Sequence, residues 1–215
     1  MSVLPTLFRE SAVVVEAPIM LVDDQLWDAE LAYIRHAVPK RRAEFGTARV
    51  CARRGLAELG LPPVAFVPGA DRALVWPEGV VGSISHTHDY AAVVLHRSPP
   101  MQSVGLDVEA LRAVEEQTCA MILTPRERSC LAARGLESRN VLALLIFSAK
   151  EAYFKCQYPL STTFLDFQEV EIEVDLTRNE FAARARKVVP ASVECLVGKF
   201  AFDAGRVFCG IEMTS

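Results

Sequence analysis

The run Phe147-Ser148-Ala149-Lys150-Glu151-Ala152-Tyr153-Phe154-Lys155 constrains this chain more than any other segment. On a helix, Glu151 and Lys155 stand one above the other on a single face. Leu145, Ile146, Phe147, Tyr153 and Phe154 surround them, so much of that helix must be buried. Charged side chains are rarely buried unless paired or bound to a metal. Upstream, Gly105-Leu106-Asp107-Val108-Glu109 reads as a strand with Asp107 and Glu109 on one face, opposite Val104, Leu106 and Val108. Three carboxylates and a lysine can thus meet at one point. Such oxygens suit a hard ion such as Mg²⁺, which takes waters and phosphate oxygens as its other ligands, and the lysine can neutralise a bound phosphate. The outline is that of a phosphoryl-transfer site.

A chain of 215 residues can bury one substantial core or two small lobes, and 51% hydrophobic residues argue against disorder. No apolar run approaches the roughly 20 residues of a membrane helix. The N-terminus lacks a secretory pattern, and six scattered cysteines form no CxxC pair. Buried free thiols in a reducing cytoplasm are expected. The net charge of −4 does not suit a nucleic-acid binder. Lys40-Arg41-Arg42, Arg49 and Arg53-Arg54 nevertheless form a local basic cluster.

Residues 11–17 read as a strand, and a helix capped by Asp24 runs to about 37. A second helix covers 40–59, with Phe45, Ala48, Ala52, Leu56 and Leu59 at helical spacing and Gly60 as its stop. Short β-rich runs lie at 80–84, 91–95 and 103–109. Thr124-Pro125-Arg126-Glu127 is a capping box opening a helix, and a longer helix runs from Asn140 to about Cys156. Residues 167–176 alternate as a half-exposed strand, and 193–202 with 207–213 form a hairpin around Asp203-Ala204-Gly205-Arg206. The class is α+β, with two halves of similar content dividing near residues 103 and 104.

Ser85-His86-Thr87-His88 offers no third soft ligand for zinc. His86 with a hydroxyl of Ser85 or Thr87 fits better as a donor to phosphate. Arg41 and Arg49, eight apart, lie near one helix face, where guanidinium forks bind phosphate bidentately. Arg72, ahead of Trp76-Pro77, could add a further cation. No Walker loop, G-x-G-x-x-G turn, G-x-S-x-G elbow or H-E-x-x-H helix is present.

In these motifs the chain resembles the 4′-phosphopantetheinyl transferases of the two-lobed, Sfp-like and EntD-like kind. The likeness covers about 40–165. It comprises the basic helix, the W-P-x-G-x-x-G-S-x-S-H stretch from Trp76 to His86, the G-x-D-x-E strand and the F-S-x-K-E-x-x-x-K helix. It implies a pseudo-twofold pair of α+β lobes with coenzyme A in the cleft between them, and Mg²⁺ (or Mn²⁺) held by Asp107, Glu109 and Glu151. It implies transfer of 4′-phosphopantetheine to a serine of an apo acyl or peptidyl carrier, releasing 3′,5′-ADP, in the manner of a holo-acyl-carrier-protein synthase. Glu151 is then expected as general base and Lys155 at the leaving group, assisted by Lys150. Ser85 and His86 are expected at the phosphates, and Arg41 and Arg49, with Arg72, around the 3′-phosphate. Arg126, Arg128 and Leu131 are expected to face the carrier. A cytoplasmic monomer is expected. A non-catalytic carrier-binding module and a Mg²⁺-dependent nucleotide phosphohydrolase stand as alternatives.

Overall fold

The computed structural model describes residues 2–69 and 73–215. The chain divides into two compact units. The N-terminal unit is Glu10–Val104 with Thr214–Ser215; the C-terminal unit is Gly105–Met213 with the first segment, up to Arg9. The division expected at 103/104 is thus one residue early, and it omits that first segment. There Leu4, Leu7 and Phe8 are buried, and the Arg9 amide donates to the Glu212 carboxylate at 3.0 Å.

In the N-terminal unit, β1 (Val13–Pro18) is followed by a 3-10 turn at Asp23–Gln25, α1 (Asp28–Ile34), α2 (Pro39–Glu58), β2 (Val80–His86) and β3 (Tyr90–Arg97). The strands form an antiparallel sheet in the order β1-β3-β2. Helix α2 starts on a proline at its first turn, where the missing N–H costs nothing. Its Cys51, Ala52 and Leu56 share one buried cluster with Val15, Val80, Val93 and Leu95 of the sheet. The helix expected from Asp24 instead begins at Asp28, because Glu30 reaches back to cap the Trp27 amide at 3.0 Å.

The C-terminal unit begins within β4 (Met101–Ala110), whose first four residues fall in the N-terminal unit. It contains α3 (Glu116–Ile122), α4 (Pro125–Ala132), α5 (Leu136–Ser161), a 3-10 turn at Phe167–Glu169, β5 (Val170–Asp175), β6 (Glu180–Ala185), α6 (Ala191–Glu194), β7 (Cys195–Asp203) and β8 (Arg206–Thr214). The five strands run in the order β4-β8-β7-β6-β5. Leu145, Ala149, Ala152 and Tyr153 of α5 share one core with Ile172, Phe181, Phe200 and Ile211 of the sheet. The hairpin turn falls where expected, with left-handed Ala204 (φ 47°) and Gly205 (φ 74°) giving the twist a tight hairpin needs. Strand β6 was not expected. Its Ala-rich sequence has little strand propensity, and pairing with β5 and β7 imposes the conformation.

All six cysteines are free, but only Cys51, Cys156 and Cys209 are buried; Cys130 and Cys195 are exposed. Among the described residues no helix is long and apolar enough to cross a membrane.

Candidate functional site

The C-terminal unit brings the acidic strand and the charged helix together. The Lys155 ammonium donates to Asp107 Oδ1 at 2.7 Å and to the Leu106 carbonyl at 3.1 Å. Asp107 is 3% exposed, so this contact lies mostly out of water. Burial and the charge of Asp107 beside it push the Glu109 carboxyl up to about 7, with Glu151 adding to the repulsion. Burial also raises Glu151, against the opposing pull of Lys155. The three carboxylates therefore feel one another. Among the described residues no three His, Cys, Asp or Glu side chains stand as a preformed metal cage. Mg²⁺ does not require one, since it is commonly held by one or two carboxylates together with substrate phosphates and waters.

What allows β4 and α5 to approach so closely is Gly105. A Cβ built there would lie 1.9 Å from the Ala152 carbonyl oxygen. The sequence signal was a glycine inside a strand, which marks a place where another backbone comes near.

Lys150 departs from its expected role at the phosphates. Its ammonium is 1% exposed and donates to Glu127 Oε2, the Ile122 carbonyl and the Phe167 carbonyl, each at 2.8 Å. An ammonium has three protons, and all three are used inside the unit. Burial lowers the Lys150 pKa, against the raising effect of Glu127. Glu127 itself also accepts from the Thr124 and Ile172 amides, at 2.7 and 2.8 Å. The capping box was legible in the sequence; that its glutamate is a buried partner of Lys150 was not. Of the expected carrier-facing group, Leu131 is buried, whereas Arg128 is exposed and Arg126 stays 66% exposed although paired with Glu171 and Glu173 at 2.9 and 3.0 Å.

The N-terminal unit sorts the basic cluster. Arg42 is locked to Asp23 at 2.7 Å, and Arg53 to Glu30 at 2.6 Å and the Gln25 carbonyl, so both are structural. Arg41, half exposed, stands 3.1 Å from His86 Nε2, which brings together two expected site residues from α2 and β2. Arg49 is 8% exposed, with its guanidinium 3.7 Å above the Phe45 ring centroid and Nε donating to the Phe66 carbonyl. Among the described residues its two Nη atoms make no hydrogen bond. Burial, with the charge of Arg41 next, lowers its pKa to about 10. Two neighbouring guanidiniums partly withdrawn from water favour an anion.

Ser85 and His86 leave β2 on opposite faces, as successive strand residues must. The register pairs His86 with Ala91 and Ile84 with Val93, and Ile84 and Val93 belong to the core that α2 covers, so His86 shares the α2 face. Ser85, buried and opposite Ala92, is on the other face. Arg72 lies outside the described residues.

The oxygen-rich, lysine-bearing group in one unit suits a hard cation, and the cationic group in the other suits an anion such as phosphate. Comparison with known proteins narrows this. Residues 29–96 match the 4′-phosphopantetheinyl transferase N-terminal domain, and residues 103–207 match the 4′-phosphopantetheinyl transferase superfamily. The chain is 41% identical over 199 residues to 4′-phosphopantetheinyl transferase Svp of Streptomyces mobaraensis, covering 88% of this chain and 79% of the relative. It is 30% identical to 4′-phosphopantetheinyl transferase PptT of Mycobacterium tuberculosis, covering 86% and 84% of the two chains. It is 37% identical to Enterobactin synthase component D of Escherichia coli K12, covering 67% and 69%. The chain belongs to the 4′-phosphopantetheinyl transferases. It transfers the 4′-phosphopantetheine of coenzyme A to a carrier protein. Neither the non-catalytic module nor the phosphohydrolase gains support from these relatives.

Proposed function

We propose that the two groups divide the work on coenzyme A, with Arg41 and Arg49 holding the 3′-phosphate and the Asp107, Glu109, Glu151 and Lys155 group handling the pyrophosphate. The observation that carries this reading is the Lys155–Asp107 contact among mutually repelling, desolvated carboxylates. Such a group is short of positive charge and long on oxygen ligands. Asp107, Glu109 and Glu151 would hold Mg²⁺, or Mn²⁺, and their all-oxygen character fits a hard divalent ion. When bound, that ion supplies Lewis-acid neutralisation of pyrophosphate oxygens.

The rest follows from the chain's own side chains. Glu151, its pKa raised by burial, is suited to accept the proton of the carrier serine as its oxygen attacks the β-phosphorus. Lys155 neutralises charge that gathers on the departing 3′,5′-ADP. His86, steadied by Arg41, donates to phosphate oxygens, whereas Ser85, buried on the opposite face of β2, takes no part beside it. Lys150 takes no direct part. The nucleophile belongs to the partner, so the enzyme's contribution is positioning and charge neutralisation. We assign the protein to the type that also serves as a holo-acyl-carrier-protein synthase, acting as a cytoplasmic monomer on acyl or peptidyl carriers. Enterobactin synthase component D as a relative supports a role in siderophore assembly.

The direct test is to incubate the protein with coenzyme A, Mg²⁺ and a panel of apo carriers and weigh the intact carriers. Gain of one phosphopantetheine is expected on at least one carrier. Chelation with EDTA should abolish the gain and added Mg²⁺ restore it; transfer that persists after chelation would remove the metal from the scheme.

The 3′-phosphate assignment has its own test. Losing a charge-assisted hydrogen bond costs about 1.5–3 kcal/mol, or roughly 10–150-fold in affinity. Arg41→Ala should weaken coenzyme A binding by that factor while scarcely affecting dephospho-coenzyme A, which lacks the 3′-phosphate. Arg41 is the better probe because Arg49 also packs on Phe45, so Arg49→Ala would disturb the fold as well. Equal weakening toward both ligands removes Arg41 from this role.

A further inference from the structure

The buried pair Lys150–Glu127 is costlier than its surroundings require. Both side chains are almost fully withdrawn from water, at 1% and 2% exposure. Replacing a buried ion pair by apolar groups of similar size is often neutral or stabilising, so stability alone is a weak reason for its presence. Its geometry suggests a different one. Lys150 donates to three separate elements: Glu127 on α4, the Ile122 carbonyl at the end of α3, and the Phe167 carbonyl in the 3-10 turn. Glu127 extends the linkage to the Ile172 amide of β5. Gln168 completes it, its Nε2 donating to the Met121 and Leu123 carbonyls at 2.9 Å each and so capping the end of α3. One point on α5 is thus bolted to four neighbouring elements.

The next residue along α5 is Glu151, whose side chain leaves the helix about 100° around the axis. A helix held at three hydrogen bonds on one side cannot slide or rotate without breaking them. On another side, Gly105 sets the spacing to β4 at Ala152. Glu151 lies between these two anchors.

We propose that the Lys150–Glu127 pair is a positioning device that fixes the rotation of α5 and so aims Glu151 at the carrier hydroxyl, without contacting coenzyme A; this rests on the reading of Glu151 as general base. The pair acts on the chemical step and leaves donor binding alone.

The test uses Lys150→Met combined with Glu127→Met, which removes both charges together and leaves no unpaired ion. Thermal melting establishes that the variant folds, calorimetry gives its coenzyme A affinity, and intact-mass kinetics give kcat with an apo carrier. The expected result is a folded protein with unchanged coenzyme A affinity and kcat reduced roughly 100-fold, the scale of an ångström's misplacement of a reacting group. Wild-type kcat would show the pair to be structural only and overturn the proposal. Coenzyme A affinity falling together with kcat would place Lys150 at the donor and overturn it equally. Should the double variant not fold, Glu127→Asp decides, because it keeps both charges while shortening the arm that spans Lys150 and Ile172; it should lose kcat at unchanged affinity, and wild-type kcat there sinks the proposal. Glu151→Gln run alongside separates the two readings. Transfer surviving that substitution would remove the base assignment and the positioning role with it, whereas its loss beside fully active pair variants removes the positioning role alone.

Discussion

Asp107→Ala should reduce phosphopantetheine transfer by more than about 10³-fold while the protein stays folded. A metal ion's Lewis-acid contribution is worth several kcal/mol of transition-state stabilisation, and each 1.36 kcal/mol is tenfold in rate, which sets that scale. Folding should suffer much less. The lost charge-assisted contact to Lys155 costs about 1.5–3 kcal/mol. Against it stands the relief of crowding, since the charge of Asp107 helps hold Glu109 near 7. Removing that charge should let the Glu109 pKa fall toward the ordinary carboxylate range. Asp107→Asn refines the experiment: it preserves volume and still accepts from Lys155, but it removes the negative charge. Loss of transfer in both variants, with melting close to wild type, assigns the effect to charge at this position. Glu151→Ala should be as severe, because on the proposed reading it removes a metal ligand and the base at once. Either variant transferring at near wild-type rate in millimolar Mg²⁺ would end the metal assignment.

How much of this was legible in the sequence depends on whether a signal was local. The Glu151–Lys155 spacing, the alternation around Asp107, the Thr124 capping box and the Ala204-Gly205 turn are all short-range patterns, and the structure forms an element at each. The faces of β2 were equally readable, so the separation of Ser85 from His86 needed only the period of a strand. What escaped was tertiary. Lys150 sits in the same charged motif as Glu151, and nothing in its neighbours says that it turns inward to Glu127. Arg42 and Arg53 could not be told from Arg41 and Arg49 until Asp23 and Glu30 were seen to claim them. Strand β6 carries almost no propensity of its own, and the helix expected at Asp24 was delayed by a glutamate used as a cap. The first segment, up to Arg9, joins the C-terminal unit through Phe8 and Glu212, a pairing across most of the chain that no window of sequence contains.

The second large effect is expected at a residue with no side chain. In Gly105→Ala the new Cβ would fall 1.9 Å from the Ala152 carbonyl oxygen, 2.9 Å from its carbonyl carbon and 3.0 Å from Cys156 Cβ. The first two are helix backbone, so no rotamer change relieves them, and trimming Ala152 to glycine would not help. This differs from Gly46, where the near atoms all belong to the side chains of Val22 and Leu26, which can shift aside. Here β4 and α5 themselves must separate. Overpacking of this kind typically costs about 1–3 kcal/mol. The functional cost should be larger in proportion, because Asp107 lies two residues beyond Gly105 on the strand and Glu151 precedes Ala152 on the helix. Moving these elements apart pulls Asp107 from Lys155 and from its neighbouring carboxylates. An ångström of misplacement is worth roughly 100-fold in rate, and that is the expected fall in kcat. Binding of coenzyme A through the Arg41 group should persist, so the affinity for coenzyme A should change far less than kcat. Gly135→Ala is the matched control, since a Cβ there meets nothing within 4 Å and its effect should stay within about 0.5 kcal/mol. If Gly105→Ala melts and transfers like Gly135→Ala, the close approach of strand and helix does not determine the geometry of the acidic group, and the Lys155–Asp107 contact must be set by something else.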